Sequence, residues 1–345
     1  MKRWFLILVL MLAGFAAYAQ QEEDDDLDVT ALIFEHVGDS YDWHITDWNG
    51  KSYAIHLPVI LHSRQSGWHC FSSRHLEDGA GYEGFTIAPA GGEYEGKIVE
   101  MVDGKPVRPF DISITKTVLA LMIDSLLVLV LILLCARWYR RHDVLKEAPK
   151  GLAALLEPVI MMINDEVIKP SVGPDYRKYS PYLLTAFFFI LINNLMGIVP
   201  FFPGGANVTG NIAITFSLAV FTFLAVNLFG NKHYWKDILW PDVPVFLKAF
   251  PLMPLIEIVG IFTKPFSLMI RLFANILAGH AMLLGVVSVI FVVSKMGPAI
   301  CGSMTVVAVL FGVFMDCLEL LVAFIQAYVF TMLSSVFIGM SRQTE

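Results

Sequence analysis

The sequence predicts an all-α polytopic membrane protein of about five spans, the last two a long tilted helical hairpin, carrying a small β-rich exported domain at its N-terminal side. Three observations predict it. Hydrophobic residues make up 56% of the 345 and charged residues only 16%, against about 45–50% and about 25% in soluble globular chains. Mean hydropathy is +0.64, which excludes an ordinary cytosolic enzyme. A polar, glycine-punctuated first third gives way beyond Thr117 to long apolar stretches, and the basic residues between them fall in alternate loops. The formal net charge of −7 is concentrated in one run, Glu22, Glu23, Asp24, Asp25, Asp26 and Asp28. Without it the chain is nearly balanced, so charge points to no nucleic acid and to no acidic or basic partner. Cys70, Cys135, Cys301 and Cys317 show no paired spacing, so neither a disulfide framework nor a metal knuckle is written here.

The chain opens with Lys2 and Arg3, an apolar run from Trp4 to Leu12, and the small-x-small pattern Ala17-Tyr18-Ala19 before Gln20. That is the layout of a secretory signal peptide over residues 1–19; the alternative is a short uncleaved anchor, and both put the acidic run outside the cytoplasm. Residues 20–115 then read as an exported polar domain. Strand-like runs such as Ser52–Leu57 and Gly84–Ala88 alternate with the turn signals Asn49-Gly50, Asp78-Gly79, Gly91-Gly92 and Asp103-Gly104. Six of the nine histidines lie here (His36, His44, His56, His62, His69, His75), at spacings that fit no metal-ligand motif; surface and half-buried histidines are the better account.

Residues 116–345 form the membrane domain. Val118–Ala136 has spanning length and ends in Arg137, Arg140 and Arg141, so it runs outside to inside. A basic cytoplasmic loop follows, within which Leu152–Ile168 has apolar residues at helical spacing and predicts a helix at the membrane surface or in the loop. Tyr182–Val199 returns outward to a loop, Phe201–Asn211, that has no Lys or Arg, and Ile212–Phe229 runs back to a loop with Lys232, Lys236 and Lys248. Leu255–Val293 is different: 39 residues of apolar pattern, about 58 Å as one helix against a hydrocarbon core of about 30 Å. Ala299–Ile338 repeats the problem. Each is either two short spans or one steeply inclined helix; the turn-like Ser294–Pro298 favours the hairpin of inclined helices, with a kink at Pro265.

Charges inside the bilayer cost about 2.5–3.5 kcal/mol each on insertion scales and by default mark an ion path. Glu257, Lys264, Arg271 and His280 interrupt one C-terminal segment, and Asp316 and Glu319 the next. A single such residue fits a structural ion pair, but several on adjacent segments favour function. Ser267, Arg271 and Asn275 recur at four-residue spacing on one helix face, and Glu319 and Gln326 are nearly in register. His280 lies nine residues past Arg271, half a turn out of phase and about 13.5 Å along the axis, so the two point to opposite sides of one helix. Histidine and glutamate can relay protons near neutral pH. Arginine cannot release its proton.

The stretch Ser267–His280 (SLMIRLFANILAGH) resembles the signature of subunit a of F-type ATP synthase, the stator of the membrane proton channel. The resemblance extends through Glu257, Thr263-Lys-Pro265, Asn193–Pro200 and Glu319–Phe330, and covers roughly Thr117–Met340. It implies that Arg271 is the stator arginine facing the carboxylates of the c-ring, with Ser267, Asn275 and Gln326 as polar neighbours. It assigns His280 and Glu319 to the outer half-channel with Asn194 before them, and Glu257 to the inner one. Many bacterial members carry this acid and imidazole in exchanged order, which leaves the pair's chemistry intact. The implied partners are the ring of subunit c, subunit b of the peripheral stalk, the rest of the ATP synthase and the lipid bilayer. The implied location is a bacterial inner membrane, with the N-terminal domain periplasmic and the C-terminus cytoplasmic. No cofactor or metal is implied, and with no phosphate loop or nucleophile triad the chain is not catalytic alone. A secondary transporter would show internal repeats, and a receptor would not need Arg271 in an apolar stretch.

Overall fold

The computed structural model describes residues 38–342 except 49–50, 80, 90–93, 103–104, 144–146, 200–201, 240–251 and 295–297. The expected signal peptide, the acidic run, His36, the turns expected at Asn49-Gly50, Gly91-Gly92 and Asp103-Gly104, Lys248 and the centre of the expected Ser294–Pro298 turn lie outside the described residues.

The N-terminal region builds three small antiparallel sheets. β1 (Asp42–Trp48) pairs with β2 (Lys51–His56), and β3 (Pro58–Ser63) pairs with β4 (Gly67–Ser72). β5 (Phe85–Ile87), β6 (Ile98–Val102) and β7 (Lys105–Val107) make the third sheet, while β8 (Phe110–Asp111) adds to the free edge of β3. Along β3, Val59, Leu61 and Ser63 face inward and Pro58 outward, the period of two that a half-buried strand requires. Val59, Leu61, Leu76, Phe85, Ile98 and Tyr41 form the core. The Tyr41 hydroxyl donates to Asp111 Oδ2 at 2.5 Å; burial first, and that carboxylate second, push its phenol well above the usual range. The turn expected at Asp78-Gly79 is instead the end of a 3-10 helix, Ser73–Gly79. Leu76 is the reason, because a helical turn carries it into the core at 1% exposure.

Helix α1 (Lys116–Arg141) follows without a linker, capped by Thr115 and ending in Arg140 and Arg141. Its buried face is Thr117, Ala120, Asp124 and Cys135. Its other faces expose Met122, Leu126, Leu129, Leu133 and Leu134, the pattern of a helix whose solvent is lipid. α2 (Leu152–Met161) runs through a π-helical stretch, Met162–Ile168, into α3 (Lys169–Val172). Gly173, at φ 77°, then turns the chain into α4 (Tyr176–Ile198). The α2 segment is the helix expected at the surface or in the loop, but it is built into the bundle. Ile163, Val167, Ile168 and Val172 share one core with Leu183, Phe187, Leu272, Phe330 and Ile338.

α5 (Ile212–Leu228) is capped by Asn211, and α6 (Lys232–Leu239) is a short amphipathic helix. α7 (Leu252–Ser294) and α8 (Pro298–Arg342) are single unbroken helices of 43 and 45 residues. This decides between the two readings of the C-terminal segments. At 1.5 Å per residue the helices reach roughly 65 Å each, so a bilayer can hold them only at a steep incline. α7 continues through Pro265 without ending. Among the described residues four helical stretches are long and apolar enough to cross a membrane, and α5 is a fifth, shorter apolar helix.

α8 is the hub of the bundle. Its buried face is rich in small residues (Ala323, Ala327, Ser334, Ser335, Gly339, Ser341), which let other backbones approach. Its last turn is clamped by Arg342, which donates to Asp175 Oδ2 at 2.9 Å and to the Phe229 carbonyl at 2.8 Å. At Gly339 a Cβ would fall 1.9 Å from the Ser171 carbonyl oxygen, a backbone atom that cannot step aside. Gly339→Ala should therefore cost about 3 kcal/mol, the upper end for overpacking. A thermal scan of helical content in detergent checks it, with Gly312→Ala, which meets open space, as the neutral control.

Candidate functional site

Of the ionisable side chains of α7 and α8, His280 and Glu319 come together beside α4. His280 Nδ1 lies 3.2 Å from Glu319 Oε1, with the two side chains 15% and 7% exposed. The approach is a close contact rather than an aligned hydrogen bond, since Oε1 is buried with no hydrogen-bond partner among the described residues. One glycine makes room for the pair. A Cβ at Gly279 would sit 3.0 Å from Glu319 Oε1, whereas one at Gly197 of α4 would sit 3.7 Å from His280 Nε2, an ordinary contact. α7 thus yields a side chain so that the carboxylate can lie against its backbone.

Two turns further along α8, Gln326 Oε1 accepts from Asn275 Nδ2 at 3.1 Å. Arg271, one turn before Asn275 on α7, is exposed, as is Ser267. The half-turn offset does separate the exposed guanidinium from the half-buried imidazole. Yet α8 holds both Asn275 and His280, so the face that Arg271 shares with Asn275 borders the α7–α8 contact instead of lying directly across the helix from it.

Asn194 is 2% exposed and has both ends of its amide engaged. Nδ2 donates to the Ala323 carbonyl at 3.2 Å, and Oδ1 accepts from the Thr209 hydroxyl at 2.7 Å. It ties α4 to α8 and to the loop before α5. Glu257 is half-buried at the other end of α7, about 21 Å along the axis from Arg271. There it lies near Tyr234 of α6; burial first, and the Glu257 carboxylate second, raise that phenol above its ordinary value.

Sequence reasoning did not assemble the space beside the pair. A cavity of about 180 Å³ is lined by Lys116, Gly197, Phe202, Asp316, His280 and Glu319, among others. Its lining is mixed, with Lys116, Asp316, His280 and Glu319 set among apolar side chains, and it is large enough for several waters. Asp316 and Glu319 are three apart on α8, a spacing that was visible, but nothing local in the sequence brings Lys116 to them. Asp124, 1% exposed, has a buried Oδ1 with no hydrogen-bond partner among the described residues. It shares its face of α1 with Thr117 and Ala120, which was also legible as spacing.

Four histidines of the N-terminal region are engaged within it. His69 contacts Glu83 at 2.5 Å and Ser66 at 2.8 Å, and His56 contacts Asp42 at 3.1 Å. His62 packs edge-on against Trp68, and His75 stacks on Tyr82. Among the described residues no three His, Cys, Asp or Glu side chains come together as a metal site.

The sequence model of the ATP synthase A chain family matches residues 121–339. Residues 32–113 match a domain of unknown function. The ATP synthase subunit a of Chlorobium phaeobacteroides (strain DSM 266 / SMG 266 / 2430) is 40% identical over 244 residues, 69% of this chain and 68% of the relative. That of Pelodictyon phaeoclathratiforme is 40% identical over 245 residues, 70% of this chain and 68% of the relative. The subunit a of Myxococcus xanthus is 38% identical over 263 residues, 74% of this chain and 80% of the relative.

The Asn194 clamp yields a prediction of its own. Asn194→Leu keeps the branched shape and heavy-atom count but strands the Thr209 hydroxyl in a buried site, which should cost about 1–3 kcal/mol. Thermal unfolding in detergent reads it, and the double change Asn194→Leu with Thr209→Val should recover part of the loss.

Proposed function

The chain belongs to the ATP synthase subunit a family, and from that premise we propose that it is the proton-translocating stator subunit of the membrane sector, with Arg271 dividing two half-channels. It is a multi-pass membrane protein of the ATP synthase complex and not an enzyme by itself. The observation that carries the reading is the His280–Glu319 pair opening on a cavity also lined by Lys116 and Asp316, on the same two helices that leave Arg271 exposed.

Protons come from the exported side through that cavity to the imidazole and carboxylate. A proton held between two such groups moves at little cost near neutral pH. From there it loads a carboxylate on the c-ring, the ring turns, and the proton leaves toward the cytoplasm past Glu257. The guanidinium of Arg271 keeps its charge under all conditions, so it cannot pass the proton on. It pairs with each ring carboxylate that arrives deprotonated and closes the short path between the half-channels. Ser267, Asn275 and Gln326 line its polar surroundings. Each charge that crosses is worth about 2.3 kcal/mol per 100 mV, and the barrier at Arg271 couples that energy to rotation.

The remaining assignments follow from the same frame. Residues 1–19 are a signal peptide, 20–115 a periplasmic domain and 116–345 the membrane domain, in a bacterial inner membrane with the C-terminus cytoplasmic. Arg140 and Arg141 at the end of α1 support that orientation. Subunit c, as a ring, and subunit b of the peripheral stalk are the partners.

Arg271→Ala should abolish ATP-driven proton pumping in membrane vesicles while passive leak persists or rises; coupled pumping at the normal rate would overturn the assignment. Glu319→Gln should cut proton flux by about ten-fold or more, the scale of losing a positioned acid or base. The exchange His280→Glu with Glu319→His keeps one acid and one imidazole in contact, so it should recover more flux than either single change does.

A further inference from the structure

We propose that the exported domain roofs the proton inlet: β1 and the head of α1 close the outer side of the cavity above His280 and Glu319, so protons pass this domain on their way in. The inference rests on the reading of that pair as the inlet.

The cavity that reaches His280, Asp316 and Glu319 is walled on its other side by Trp43, His44 and Ile45 of β1. Adjacent residues of a regular strand point to opposite faces and could not share one cavity. The pairing of β1 with β2 shifts register between His44 and Thr46, and a bulge of this kind bends a strand and re-aims its side chains. β1 is also seated firmly. Trp43 is 3% exposed and packs with Ala120 of α1 and with Ala206 and Val208 of the α4–α5 connection. Its ring meets Phe202 edge-on at 5.1 Å between centroids.

The rest of the domain is fixed to the same helix. Asp39 Oδ1 accepts from the Thr117 amide at 3.0 Å, and the Lys116 amide donates to the Ser40 carbonyl at 2.8 Å. A carboxylate at a helix N-terminus satisfies a free amide and complements the helix dipole. On the other flank the amides of Ile112 and Ile114 donate to the carbonyls of Ile60 and Pro58, so the sheet runs on to the first turn of α1. The segment entering β1 and the segment leaving the domain are thus both pinned at the mouth of the cavity. The match to the ATP synthase A chain family begins at residue 121, so this roof is an addition to the part of the chain that carries the family's pattern.

The test uses the assembled ATP synthase carrying Cys70→Ser and Cys317→Ser, which removes the two exposed thiols. His44→Cys and, separately, Ile45→Cys are placed in the roof, and Met101→Cys on the exposed face of β6 serves as the control. A methanethiosulfonate reagent bearing a trimethylammonium group is applied to spheroplasts, attachment is read by mass, and inverted vesicles are then assayed for ATP-driven pumping. Labelling at either roof position should lower flux at least five-fold against the same unlabelled variant, and labelling at Met101→Cys should not. Full labelling of both roof positions with unchanged flux, or failure of both to label from outside, overturns the proposal. Glu319→Gln in parallel separates the two failures. If it pumps slowly while the labelled roof is silent, only the roof is wrong; if it also pumps normally, the inlet itself is wrong.

Discussion

A polar group in hydrocarbon must find its partner inside the protein, because the lipid offers none. In this chain the ionisable share of that constraint falls largely on one seam. α7 and α8 carry Arg271, Asn275, His280, Glu319 and Gln326, and the described contacts among these residues join one helix to the other: His280 to Glu319 and Asn275 to Gln326. Neither helix could hold its polar row alone. The seam also explains the lengths. Two helices of 43 and 45 residues are far longer than a perpendicular crossing needs, and a steep incline spreads their polar row along a surface inside the membrane.

Close approach is what lets the seam be dry in one place and wet in another. α8 meets its neighbours through alanine, serine and glycine, so helix backbones come near without large side chains between them. At Gly279 the missing side chain admits a carboxylate oxygen, and at Gly339 it admits a backbone carbonyl. The same chemical device serves a charge in the first case and packing in the second. Arg342 and Asn231 hold the far end of α8 through hydrogen bonds to Asp175, Phe229 and each other. With that end fixed, the position of Glu319 two dozen residues earlier is set by a rigid rod.

Much of this was legible in the sequence because it is written locally. Apolar length, the arginines after α1 and the spacing of Ser267, Arg271 and Asn275 each depend on residues within a few turns of one another. The two long segments were ambiguous for a physical reason: length alone cannot tell one inclined helix from two short ones, and tilt is set by packing against neighbours. α2 was misread in its surroundings because its apolar stripe suits either a lipid surface or a protein core. The cavity was not legible at all. It needs Trp43, Lys116, Gly197 and Asp316 in one place, and their sequence separations leave no pattern to read.

The β-rich region shows how a soluble module becomes part of a membrane site. Its own core, built on Leu61, Leu76 and Phe85, contains no residue of the helices α1 to α8. Trp43 does not belong to that core; it is buried only because α1 and the α4–α5 connection cover it. A large aromatic side chain buries area worth several tenths of the stability of a small domain, so the docked arrangement is favoured over a domain swinging on a tether. The backbone bonds of Ser40 and Asp39 to the first turn of α1 act in the same direction. Water that reaches His280 and Glu319 therefore meets a wall whose position is fixed by packing, and the β-rich module and the polar seam form one structural unit.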